Sequence, residues 1–108
     1  MGDLEQAAAF YHTGLGLDKV VWGYPGALFM SAGGYHHHLG TNTWAAGAPS
    51  AGAGDARLLE WEIIVPDATL AAAAAGSLAA AGHRAAEAGD EWRAADPWGT
   101  TLAIRGER

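Results

Sequence analysis

Cysteine is absent from the 108 residues, which removes disulfide staples, thiolate zinc sites and cysteine nucleophiles together. Positive charge is scarce: 6 Lys and Arg stand against 12 Asp and Glu, a formal net charge of −6 with histidine neutral. No basic stripe is available to neutralise phosphates, so neither nucleic acid nor an anionic membrane is an expected partner. No apolar run reaches the length of a membrane span and no charged-then-apolar leader opens the chain, so a soluble cytoplasmic protein is expected. A nucleophilic serine motif, a phosphate loop and a nucleotide fingerprint are also missing. What is present is a chain half hydrophobic by count, with 16 glycines and much alanine. That composition predicts a thin core of closely approaching backbone, and the length suits one domain, residues 1–108.

Asp3, followed three residues later by Gln6, is a variant capping box for a helix over Leu4–Thr13. Leu4, Ala7, Ala8, Tyr11 and Leu15 hold the spacing of one buried face, and Gly14 is the expected left-handed cap. Strands are expected at Leu17–Trp22, Ala27–Ser31 and Tyr35–Trp44, with glycine-rich turns between them. Residues 45–57, rich in Ala, Gly, Pro and Ser, form a linker. Beyond it come a strand, Leu58–Val65, and an alanine-rich helix from the cap Asp67 to Ala81, closed by Gly82. Three more strands follow, His83–Glu87, Glu91–Ala95 and Thr100–Arg105, the last two separated by the turn Asp96-Pro97-Trp98-Gly99.

Moving the second half back by about 65 residues lays helix on helix and strand on strand, an internal repeat. Residues 1–44 form a first αβββ unit and residues 58–108 a second βαβββ unit. The strand that opens the second unit has no counterpart in the first, where it would lie ahead of Met1. Two origins are open, a real truncation or a start site set inside a longer ancestral reading frame at a GTG codon read as methionine, and the intact mass of the native protein would distinguish them.

Several runs carry a specific resemblance. Gly2-Asp3-Leu4-Glu5-Gln6-Ala7 with Phe10-Tyr11-His12-Thr13-Gly14-Leu15-Gly16, the run from Ser31 to Trp44 (SAGGYHHHLGTNTW), and Asp96-Pro97-Trp98-Gly99 are similar to motifs of the vicinal oxygen chelate superfamily. That superfamily includes glyoxalase I, extradiol catechol dioxygenases, and bleomycin- and fosfomycin-resistance proteins. The resemblance implies an α+β fold in which two repeated βαβββ-type units form one cupped mixed sheet, here with the first unit lacking its leading strand. It also implies a metal in the cup, held by residues of the first and last strands of each unit, that chelates vicinal oxygens of a substrate. On this sequence those positions fall on His38, which aligns with Ala103 under the repeat, and on Glu60, where dioxygenase-like relatives usually have histidine. Ala103 stands where they usually have glutamate and offers no donor. A divalent ion (Fe, Mn, Zn or Ni), weakly bound or absent, is the cofactor expected, with His38 and Glu60 as its ligands.

Strand alternation places His36, His38, Asn42 and Trp44 on the cup face, and Tyr35, His37, Leu39 and Thr41 on the other. By the same rule Glu60, Glu62 and Ile64 face the cup while Leu59, Trp61 and Ile63 face the helices. His36 is the candidate acid/base group, an imidazole able to work beside carboxylates. Asn42, Trp44, Glu62 and Thr101 are candidate substrate contacts, Trp44 as an aromatic wall for a planar ligand. Same-face carboxylates at 60 and 62 repel unless a cation or histidinium lies between them. His12 and His83 lie near helix C-termini, where a capping or dipole role suffices, and Trp22, Trp61, Trp92 and Trp98 suit packing.

Two functions follow. One is extradiol dioxygenase-like or lyase-like metal chemistry on a small aromatic or vicinal-oxygen compound, with an eroded metal site. The other is metal-free sequestration of a small molecule, as in bleomycin-resistance proteins, the acidic cup favouring a cationic ligand. A homodimer, with or without exchanged units, is expected to cover the edges left by the absent strand.

Overall fold

A computed structural model describes residues 3–21, 27–32, 38–44 and 46–108. The first helix, α1 (Leu4–Ala7), starts where the Asp3 carboxylate accepts the Glu5 and Gln6 amides at 2.8 and 3.1 Å. It runs directly into a π-helical segment, Ala8–Gly14. There the Leu15 amide reaches back to Phe10 O at 2.8 Å and the Leu17 amide to Tyr11 O at 2.9 Å. The wide turn lets the consecutive residues Phe10 and Tyr11 both bury completely, their rings edge to face with centroids 4.8 Å apart. It also moves the left-handed residue: Gly16, with φ of 95°, takes the place expected of Gly14.

Three antiparallel strands follow, β1 (Asp18–Val21), β2 (Ala27–Ser31) and β3 (Leu39–Asn42), in the order β1-β2-β3. The second unit contains β4 (Glu60–Val65), α2 (Ala68–Ala80), β5 (Ala85–Ala88), β6 (Glu91–Ala95) and β7 (Thr101–Gly106), and its sheet runs β4-β7-β6-β5 with β4 parallel to β7. Asp67 caps α2 by accepting the Leu70 amide at 2.9 Å, and Gly82, with φ of 90°, lies just past its end. Ala71, Ala75 and Leu78 are its buried stripe, at the four-and-three spacing of one helix face. Among the described residues no helix is long and apolar enough to cross a membrane.

The helical layer joins the two sheets. A Cβ on Gly14 would stand 2.9 Å from Leu78 Cδ2, so the first helix and α2 meet at a glycine, and Ser77 Oγ donates to Gly14 O at 2.6 Å. Phe10, Tyr11, Leu28 and Met30 of the first unit share one core with Leu78, Leu102 and Ile104 of the second. A buried polar tie crosses the same seam. Tyr11 Oη donates to Asp96 Oδ2 at 2.5 Å, while Asp96 Oδ1 accepts the Trp98 and Thr100 amides at 2.9 and 3.0 Å. Burial, then the bond to Asp96 and its charge, pushes the Tyr11 hydroxyl far above the ordinary tyrosine value.

The architecture is the α+β, two-unit arrangement read from the repeat, with local differences. β3 starts at Leu39, and His38 lies in a bend before it. The expected strand residues Tyr35, His36 and His37 lie outside the described residues. His38 closes the bend: its amide donates to Met30 O at 2.9 Å and its Nδ1 accepts the Ala32 amide at 3.2 Å. Leu59 precedes β4 and is 63% exposed, not turned to the helices, whereas Trp61, Ile63 and Val65 do pack on the core. When the two N-caps, Asp3 and Asp67, and the starts of β2 and β6 are superposed, the ladders bring Gly40 onto Ala103 in place of His38.

Candidate functional site

The sheet faces turned away from the helices form two half-cups. On the first, Phe29 of β2 pairs with Gly40 of β3, and a Cβ on Gly40 would lie 3.1 Å from the Phe29 ring. Glycine lets the ring lie across the neighbouring strand. Beside it is a recess of about 320 Å³ lined by Ala27, Phe29, Gly40, Thr41, Asn42 and Trp44. Asn42 Oδ1 accepts the Trp44 amide at 3.2 Å, a short side-chain turn that sets the chain direction at the indole. Trp44 is 75% exposed, a large apolar surface with little protein around it. Thr41 and Leu39 face the core as alternation requires: Thr41 is buried, with Oγ1 donating to Leu28 O at 3.0 Å. His38, in the bend, lies two residues from Gly40 at the other end of β3 from Trp44.

The second half-cup is charged. Glu60 and Glu62 point from β4 on the exposed face, as expected, and each meets an arginine that the sequence reading passed over. Arg93 of β6 places Nη2 at 2.6 Å from Glu60 Oε2 and Nη1 at 3.3 Å from Oε1, and its Nη1 also lies 2.6 Å from Glu91 Oε2. Arg105 of β7 donates to Glu62 from Nε at 3.1 Å and from Nη2 at 3.3 Å. The two guanidiniums relieve the repulsion expected between residues 60 and 62. Glu60, and then Glu91, hold the Arg93 guanidinium more firmly in its charged form. Ala103 is the register partner of both Glu62 and Arg93 and has no solvent exposure, and Thr101 lies opposite Glu60. Alternation along Glu91, Arg93, Thr101 and Arg105 carried the signal for this network, because it puts all four on one face of adjacent strands.

A second recess, about 480 Å³, lies between the linker and the Asp96–Gly99 turn and includes Pro49, Ser50, Arg57, Leu58, Asp96 and Trp98. Its one buried carboxylate, Asp96, is engaged by Tyr11 and two backbone amides.

Metals of the expected kind take three or more protein donors. Among the described residues no group of three or more His, Asp or Glu is placed to hold an ion. His38 lies in the bend before β3 of one sheet and Glu60 on β4 of the other, Glu60 is gripped by Arg93, and Ala103 has no donor. The described donor set therefore does not fit the metal that the resemblance implies. His36, the candidate acid/base group, lies outside the described residues.

Comparison with known proteins agrees with the motifs. No family model matches the chain. It is 38% identical over 100 residues to a catechol-2,3-dioxygenase of Bacillus subtilis (strain 168), covering 90% of this chain and 35% of that protein. The chain thus spans about a third of that relative. Among solved structures, a glyoxalase-related enzyme from Fulvimarina pelagi is 26% identical with a TM-score of 0.67, covering 99% of this chain and 82% of that one. Lactoylglutathione lyase from Agrobacterium tumefaciens shares the fold at a TM-score of 0.67 and 14% identity, covering 97% of this chain and 86% of that one. The fold is the glyoxalase/dioxygenase fold. In sequence the chain resembles part of a catechol-2,3-dioxygenase and a glyoxalase-related enzyme, in line with the vicinal oxygen chelate resemblance of its motifs.

Proposed function

We propose that this chain binds a small planar compound with adjacent oxygens, of the catechol class, in its first half-cup. The observation that carries this reading is the recess of about 320 Å³ with Phe29, Trp44 and Asn42 in its lining. Stacking on such rings contributes about 0.5–1.5 kcal/mol beyond area burial, and the amide supplies the polar contact that orients an oxygen. The 38% identity to a catechol-2,3-dioxygenase supports the ligand class. His36 is proposed as the acid/base group, since imidazole alone changes charge near neutrality unperturbed. Thr101 and Glu62 are proposed as contacts from the second half-cup.

The reading includes a homodimer in the cytoplasm. Among the described residues β3 and β4 are edge strands of their sheets, and Leu58 and Leu59 beside β4 are 64% and 63% exposed. Open edges with apolar neighbours are stabilised by pairing with a second copy.

Calorimetric titration with catechol tests the ligand. Saturable binding weakened roughly 2- to 10-fold by Trp44→Ala, and also by Asn42→Ala, is expected. No binding at millimolar catechol, or binding indifferent to both substitutions, would retire the reading. Light scattering at micromolar concentration tests the dimer, and a monomer would count against it.

A further inference from the structure

We propose that Arg93 is a built-in counter-cation that closes the second half-cup to divalent metal ions. Glu60 on β4 is the carboxylate that a metal in this unit would need first. The Arg93 side chain starts on β6 and reaches it across the intervening strand β7, passing the register partner Ala103. Two contacts join the guanidinium to Glu60, at 2.6 and 3.3 Å, and Glu91 holds it on its own strand at 2.6 Å. Ala103 makes this crossing possible, because a longer side chain at that point would stand in the arm's path. A donor-bearing side chain at residue 103 and the Arg93 crossing therefore compete for the same space.

The charge cannot be titrated away, since a guanidinium stays protonated throughout the physiological range. A divalent ion approaching Glu60 would have to displace the arginine and then stand within a few ångströms of its positive charge. Glu62 offers no easier route, because Arg105 engages both of its oxygens. The proposal does not depend on what the first half-cup binds.

Mn(II) binding to the whole chain, followed by calorimetry and electron paramagnetic resonance, tests it. The unaltered protein is expected to show no Mn(II) site that Glu60→Gln removes. Arg93→Met, checked for native circular dichroism, is expected to bind Mn(II) at least tenfold more tightly, a gain lost again in the double variant with Glu60→Gln. Arg93→Gln replaces it if Arg93→Met does not fold. Mn(II) binding that survives Glu60→Gln lies elsewhere and leaves the second half-cup closed, as expected. Near-stoichiometric Mn(II) on the unaltered chain that Glu60→Gln abolishes would overturn the proposal, and so would a folded Arg93 variant that gains none.

Discussion

In the first half-cup a phenyl ring from β2 lies over Gly40 of β3, and in the second an arginine arm from β6 passes over Ala103 of β7. The two pairs occupy corresponding rungs of a duplicated ladder, and in both a small residue on the last strand makes room for a long one on the central strand. What crosses the rung then sets the character of each half. The ring leaves an apolar recess beside Trp44, whereas the guanidinium gathers carboxylates from β4 and β6 into a closed network. Both rungs offer the same space, and one side-chain type per unit decides whether an apolar recess or a charged network occupies it.

The largest effect is expected where both halves rest on one support. Leu78 is fully buried and touches the first unit at Gly14. Leu78→Ala should cost about 2–5 kcal/mol, read as a lower urea midpoint, with both units unfolding in one transition. Two separate transitions would show that the halves are independent.

Next is the buried tie across the seam. Tyr11→Phe leaves Asp96 without its side-chain donor and should cost about 1–3 kcal/mol. It should also change the alkaline limb. Because the folded state holds the Tyr11 proton above the unfolded value of 10.0, this stabilisation is complete below that pH and is lost as pH rises above it. The loss should be about 1.4 kcal/mol per pH unit. Denaturant titrations from pH 9 to 11 should show this slope in the unaltered protein and lack it in Tyr11→Phe.

Gly40→Ala turns the first rung into the second one's alanine. Its Cβ would press on the Phe29 ring, which must move a few tenths of an ångström. A cost of about 1 kcal/mol is expected, at the low end of overpacking, with weaker catechol binding by calorimetry. No change in either would mean that the ring is not confined by the rung.

The smallest effect belongs to the charged half. Glu62→Gln removes the charge partner of Arg105 in a pair whose carboxylate is 40% exposed and whose arginine is 13% exposed, for about 0.2–1 kcal/mol that fades with added salt. A larger, salt-independent loss in thermal melts would mean that the network supports the fold as well as filling the cup.

Local chemistry was legible in the chain. β2 and β6 have the limits the alternation predicts, Asp3 and Asp67 cap the helices they precede, and Gly82 lies just past α2 with a positive φ. These features depend on residues within one turn or one strand, so sequence by itself determined them, together with the duplicated α+β plan and the faces of β3 and β4. Tertiary structure decided the rest. The π-helical widening that buries Phe10 beside Tyr11, and moves the left-handed residue to Gly16, answers to packing against α2. The Arg93–Glu60 and Tyr11–Asp96 contacts join residues 33 and 85 positions apart. Alternation puts Arg93 on the right face but does not name the partner in either pair, because the partners become neighbours only after non-adjacent strands and separate units have been brought together by the shared core.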